Sequence, residues 1–185
     1  MIERIIHASL IILKDQSNEI TRNIIDKDGT LDKLIIVLKN DDFRDQEINS
    51  KAALAIGQAF LGQPIPVEYR SEVIQLMKKI SSNEELYVSS EGIRVIAGLT
   101  KCKINIPEIL SNNYYSDIMK FLTQKYDLIV DYALQLVLNI LINGQQETIE
   151  IARAILPINR ISELTEHKDQ IISMNSRAII NLLGN

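Results

Sequence analysis

The sequence predicts an all-α fold, a right-handed α-solenoid of about four stacked helical repeats. Three observations predict it. Apolar residues recur at steps of three and four along most of the chain. No segment alternates with period two, so no sheet is expected. The long helical segments align with one another at intervals of 40, 41 and 42 residues.

The elements follow in order. Residues 1–16, "MIERIIHASLIILKDQ", are apolar on nearly every side of a helix, with Ile2, Ile5, Ile6, Leu10, Ile11, Ile12 and Leu13. They predict an N-terminal capping helix. Glu3, Arg4 and Lys14 interrupt the run, no signal-peptide order is expected from it, and it is too short to span a membrane. Repeats are then expected at 17–62, 63–103, 104–144 and 145–185, all within one domain. Each contains a short amphipathic helix: "LDKLIIVLK", "SEVIQLMKKI", "SDIMKFLTQ" and "INRISELTEH". Each short helix is followed by a longer one: "QEINSKAALAIGQAFLG", "ELYVSSEGIRVIAGLTK", "DLIVDYALQLVLNILING" and "DQIISMNSRAIINLLGN".

Aligning the longer helices puts Ala52, Gly92, Ala133 and Asn175 in register. Four residues on stand Ile56, Ile96, Val137 and Ile179, and seven on stand Ala59, Leu99, Ile140 and Leu182. A period near 40 with a short helix before a longer one is the pattern of armadillo and HEAT solenoids, in which one helix pair buries its apolar face only against the next copy. A helix sandwiched between two repeats needs small residues where backbones approach. That accounts for the Ala-rich "KAALAIGQAF" and for Gly57, Gly92 and Gly98, since a glycine otherwise costs a helix interior about 1 kcal/mol relative to alanine.

Residues 17–62 resemble an armadillo repeat. "NEITRNII" stands as a first helix, Gly29 as the glycine at the bend, "LDKLIIVLK" as a second helix, and an Ala-rich third helix follows an acidic loop. A left-handed backbone at such a bend is easy only for glycine. Later copies are looser. "PIPVEYR" is too Pro-rich for a first helix and the last two repeats lack the bend glycine, which leaves that half open between armadillo and HEAT types.

Composition limits the chemistry. The chain is 46% hydrophobic and 24% charged, with net charge −4 and a pI near 5.3, so it can bury a core but lacks the basic excess of a nucleic-acid-binding surface. A single cysteine, Cys102, excludes an internal disulfide and a thiolate metal cluster, and fits a reducing compartment. Its neighbours Lys101 and Lys103 would favour a thiolate, but no histidine partner accompanies it. "DKDGTLD" fails as a calcium loop: with Gly29 at the required glycine, the first and twelfth ligand positions fall on Ile24 and Ile35. His7 and His167 lie apart from any metal-binding cluster, and no phosphate loop or nucleophile elbow occurs. No cofactor, metal or catalytic residue is expected, and the chain does not read as an enzyme.

The resemblance implies a protein-binding groove along the concave surface of the third helices, where armadillo proteins use a row of Asn side chains to hold an extended peptide. Asparagine offers both a donor and an acceptor to peptide amides. Two residues beyond each register position stand Leu54, Arg94, Gln135 and Arg177, and six beyond stand Gln58, Gly98, Asn139 and Asn181. The row is half present. The nuclear-import members add a Trp four residues before each Asn, and this chain has no Trp, which argues against that role. Arg94 and Arg177 favour an acidic partner segment.

The last helix is apolar over half its circumference, which makes Ile171, Ile172, Ile180 and Leu183 candidate end-face contacts. The expected function is therefore a protein–protein interaction scaffold, a subunit of a larger hetero-oligomeric assembly. The alternatives are a groove adaptor for an extended acidic segment or a regulatory subunit of an enzyme. Protein partners are expected, without nucleic acid or membrane. The expected place is cytoplasmic, with cytoskeletal or ciliary company suggested by the Ile- and Asn-rich composition.

Overall fold

The computed structural model describes residues 29–39 and 46–184, with the side chains of Gln46 and Glu47 excepted. The expected capping helix at 1–16, the first helix "NEITRNII", His7 and the acidic loop at 40–45 lie outside the described residues. Ten α-helices occur among those described: α1 (Thr30–Lys39), α2 (Gln46–Ala59), α3 (Val67–Ser81), α4 (Leu86–Leu99), α5 (Ile106–Leu110), α6 (Tyr115–Leu122), α7 (Asp127–Asn143), α8 (Gln146–Ile155), α9 (Ile158–Leu164) and α10 (Gln170–Gly184). No strand occurs among the described residues.

The long helices stack. α2 packs on α4, α4 on α7, and α7 on α10, while α1, α3, α6 and α9 pack against the long helix that follows each of them. The register positions Ala52, Gly92, Ala133 and Asn175 are all buried, as are Ile56, Ile96, Val137 and Ile179. A step of four residues returns to nearly the same side of a helix, so each long helix turns one continuous stripe inward. Ala133 has no exposed surface. Ala133→Leu is expected to cost about 1–3 kcal/mol by overpacking, read from the shift in the urea unfolding midpoint.

The glycines mark the closest approaches. A Cβ on Gly92 would stand 2.6 Å from the Ser81 nitrogen and 2.9 Å from its Cα, so α4 crosses the last turn of α3 backbone to backbone. On Gly57 it would meet Val95 Cγ1 at 2.6 Å, and on Gly98 it would meet Leu61 Cδ2 at 2.4 Å. Gly29 has φ +70°, the left-handed conformation expected at the first bend.

The later bends use other chemistry. Between α5 and α6, Asn112 and Asn113 take φ of 55° and 59°, since asparagine is among the few residues that tolerate this region. Between α8 and α9, Leu156 is extended and Pro157 makes the corner as a tight γ-turn, the Ile158 N–H donating to the Leu156 carbonyl at 2.8 Å. In both C-terminal units a first helix, α5 or α8, precedes the pair, which is the three-helix armadillo count.

The second unit has no first helix. Residues 63–66 run extended into α3, which begins at Val67, four residues earlier than the periodicity of "SEVIQLMKKI" suggested, because Pro66 at its N-cap has the fixed φ of a helix start. The extended segment is held by Asn105, which has no exposed surface. Asn105 Oδ1 accepts from the Ile65 N–H (3.1 Å), and its Nδ2 donates to the carbonyls of Gln63 (2.8 Å) and Leu99 (3.1 Å).

A second polar cluster ties α3 to α5 and α6. Lys78 donates to the carbonyls of Glu108 (2.9 Å) and Ser111 (3.0 Å), capping the end of α5, and lies over the Tyr114 ring. Burial holds its ammonium below the usual lysine range, with Glu108 and then Asp117 pulling the other way. Tyr114 shares a 2.7 Å hydrogen bond with Ser81, and burial lifts its hydroxyl well above the usual phenol range. The folded state therefore keeps a proton that the unfolded chain releases above about pH 10. This contribution to stability is complete below that pH and is lost as pH rises beyond it. Tyr114→Phe should flatten the alkaline fall in unfolding free energy measured between pH 9 and 11.5.

Candidate protein-binding groove

Gly92 faces α3, so on a helix advancing about 100° per residue the positions two and six beyond it face away from the second helices, at about 200° and 240°. Positions one and five before the register fall on the same face. Four third helices thus present a ladder of side chains running from Leu54 and Gln58 on α2 to Arg177 and Asn181 on α10.

The structure places the expected groove residues unequally. Gln58 is 2% exposed and its Oε1 has no hydrogen-bond partner, so it lies beneath the surface and offers no side chain to a partner. Gly98 lies under the Leu61 side chain. Leu54, Arg94, Gln135 and Asn139 are half-buried, and Arg177 and Asn181 are exposed. Asn139 donates to the Ala97 carbonyl of the preceding third helix at 2.8 Å, and Asn143 follows with the Thr100 carbonyl at 3.5 Å. The Asn139 amide expected to hold a partner backbone instead joins the Thr100 hydroxyl (2.7 Å) on the Ala97 carbonyl in the last turn of α4.

The cations are also engaged. Arg94 pairs with Glu91 at 2.9 Å, one turn back on α4. Arg177 donates to the Thr165 carbonyl at 3.2 Å and pairs with Glu166 at 3.4 Å. Gln135 donates to one oxygen of Asp131 (3.0 Å), and Asn175 on the next third helix donates to the other (3.1 Å). Of these, the Asn175–Asp131 bond crosses between long helices, and with the Asn139–Ala97 bond it ties α4, α7 and α10 along this face.

Residues that the +2 and +6 reading missed stand one and five before the register. Tyr87 is 62% exposed, Leu128 48% and Met174 64%, with Tyr132 half-buried among them. The same ladder arithmetic, carried in the other direction along each helix, would have found them. Beside Met174 and Arg177 a cleft of about 440 Å³ opens, lined also by His167, Gln170 and Ser173.

The end-face expectation is corrected in part. Ile172 is 1% exposed and belongs to the core, because it faces inward three residues before the register, where Ser89 and Val130 are also buried. Ile171 is exposed, while Ile180 and Leu183 are half-buried against the core. Ser176 occupies the position held by Ala53, Ile93 and Leu134 in the earlier third helices, and its hydroxyl is satisfied by the Ile172 carbonyl at 2.8 Å.

Among the described residues no group of His, Cys, Asp or Glu side chains could hold a metal ion, and no helix is long and apolar enough to cross a membrane. Cys102 sits half-buried in the turn between α4 and α5.

No family model matches the sequence, and no curated protein matches it. Solved structures do. An engineered protein superposes with a TM-score of 0.70 at 16% identity, over 99% of this chain and 76% of its own. A designed armadillo repeat protein in complex with the peptide (KR)4 gives 0.68 at 19% identity, over 98% of this chain and 76% of its own. Computationally designed armadillo repeat proteins for modular peptide recognition give 0.66 at 19% identity, over 97% and 76%.

Proposed function

We propose that this chain, whose fold is an armadillo-type α-solenoid, is a non-enzymatic protein-interaction scaffold that receives a partner along the third helices α4, α7 and α10. The single observation that carries this reading is the exposed apolar row of Tyr87, Leu128 and Met174 on one face of three consecutive third helices. Aromatic side chains and methionine are enriched in the buried centres of interfaces, and a row of them spaced by a repeat is hard to explain by scattered surface exposure. The peptide held by one designed armadillo neighbour supports the same kind of use. A scaffold of this kind acts as a subunit of a larger assembly, and the row supplies its contact surface.

Site-specific photo-crosslinking tests it. A photoreactive residue at Leu128 or Met174 should capture the same protein from native extract, and one at exposed Glu150 on α8 should not. Capture only from α8 would move the binding surface off the third helices.

The second reading, an adaptor for an extended acidic segment, rests on Arg94 and Arg177. Each would exchange an internal carboxylate for one from the partner. The double substitution Arg94→Glu with Arg177→Glu should then weaken binding of an acidic peptide at least tenfold by fluorescence anisotropy. The exposed Arg177–Glu166 pair is worth little, whereas Arg94→Glu sets a like charge beside half-buried Glu91, so a thermal melt of each single variant accompanies the binding assay. Unchanged affinity would leave the apolar row as the contact surface.

A further inference from the structure

We infer that Asn143, where α7 meets the end of α4, is a deamidation site of the folded chain. Its amide is lost to attack by the Gly144 nitrogen, at a rate set by fraying of the last turn of α7, and the carboxylate left behind loosens α7 from α4. Asn143–Gly144 is the single Asn-Gly pair in the chain. Glycine has no side chain to hinder its own nitrogen, which makes such a pair the most open to this reaction. The pair also sits where the helix ends: Asn143 is the last residue of α7, and Gly144 leaves it extended, with ψ 160°. Packing fixes both members in place. A Cβ on Gly144 would stand 2.5 Å from the Ile140 carbonyl oxygen and 3.3 Å from Thr148 Cγ2, so another residue would force the α7–α8 corner apart. Half-buried Asn143 donates from Nδ2 to the Asn139 carbonyl at 3.0 Å and reaches the Thr100 carbonyl, just past the end of α4, at 3.5 Å. With Asn139 on the Ala97 carbonyl, two amides one turn apart on α7 join it to α4. The labile pair is therefore part of the joint between two repeats.

The fold restrains the reaction at two points. The attacking group is engaged, because the Gly144 N–H donates to the Ile140 carbonyl at 2.8 Å. The amide to be expelled is engaged too, through its bonds to the Asn139 and Thr100 carbonyls. Both are released together when the last turn of α7 frays, and helix ends open at the least cost in a fold. The Gly144 nitrogen then gives up its proton to water and bonds to Asn143 Cγ. The Cγ–Nδ2 bond breaks and the amide leaves as ammonia. One water opens the resulting succinimide ring at either of its carbonyls, giving aspartate or isoaspartate. Aspartate turns a carboxylate toward two carbonyl oxygens where a donor had stood, which costs more than the loss of the bonds alone. Isoaspartate routes the main chain through one extra carbon at a corner that has no room to spare. Either product weakens the hold of α7 on the end of α4.

The test incubates the whole chain in mildly alkaline buffer, folded and in concentrated urea, and follows residue 143 by peptide mass spectrometry with an isoaspartate assay. Conversion should be at least about tenfold slower in the folded chain than in urea, and should rise with low urea in step with hydrogen exchange of the Gly144 amide. The converted chain, separated by ion exchange on its added charge, should unfold at a lower urea midpoint than the parent, and Asn143→Asp should do the same. The converted parent needs no variant to fold, so the stability reading stands by itself. Equal rates in folded and unfolded chain would overturn the proposal, because the turn would then restrain nothing. So would an absence of conversion while the Gly144 amide exchanges, or a converted chain that keeps the parent's midpoint.

Discussion

Gly92→Ala is expected to lower the unfolding free energy by about 2–3 kcal/mol, near the top of the usual range for overpacking. The added methyl would meet the nitrogen and Cα of Ser81 and the carbonyl carbon of Ile80, all backbone atoms in the last turn of α3. Backbone cannot rotate aside, so α3 and α4 must separate, and the hydrogen bonds built on that crossing would stretch. Ser89, which donates to the Ser81 carbonyl at 2.8 Å, and Tyr114, which bonds the Ser81 hydroxyl, are the first affected. Gly57→Ala is the matched control. Its methyl meets Val95 Cγ1 at 2.6 Å, a buried branched side chain that must shift, but no backbone, and alanine returns about 1 kcal/mol of helix propensity, so the net loss should be smaller than that of Gly92→Ala. Urea unfolding of the two variants side by side decides the matter. Equal losses would mean that the α3–α4 crossing is looser than described.

Asn105→Leu is expected to cost about 3 kcal/mol or more. The substitution strands the Ile65 N–H and the carbonyls of Gln63 and Leu99, and each buried polar group left unpaired costs about 1–3 kcal/mol. The side chain stands in for a missing helix: the second unit enters α3 through an extended segment whose polar backbone groups have no helical partners. Asn105→Asp separates acceptor from donors. It keeps the bond from Ile65 but turns a carboxylate toward two carbonyl oxygens. The folded state then favours the protonated acid, so this variant should gain stability as pH falls from 7 toward the unfolded carboxylate value near 4, opposite to ordinary acid denaturation. Thermal melts of Asn105→Asp at pH 7 and pH 4.5 give the sign. A variant that melts lower at pH 4.5 by as much as the parent would show that the amide donors contribute little.

The period of about 41 residues, the small residues of the third helices and the inward stripe were legible in the chain, because repeat stacking imposes the same burial on every copy and so writes the same pattern several times. Ala52, Gly92 and Ala133 could be read as buried contact points from their size and spacing alone. The direction of the groove face followed from the same arithmetic, since a helical wheel separates the face toward α3 from the face away from it.

What each groove residue does there depended on contacts across repeats. Asn139 looks like a free amide in sequence, yet it is bonded to the Ala97 carbonyl of the preceding third helix, 42 positions away. Gln58 shares its ladder position, yet it lies buried. Local periodicity assigns a side chain to a face but cannot say which neighbour covers it or bonds it. The bends divide in the same way. Gly29 announced itself because only glycine takes a left-handed backbone freely, whereas Asn112, Asn113 and the Leu156–Pro157 corner carry no comparably exclusive signal. Sequence by itself determined a repeated, all-helical stack with one outward ladder. Tertiary structure alone decided which rungs remain open to a partner, because burial and pairing arise between residues about forty apart, and no single helix contains both members of such a pair.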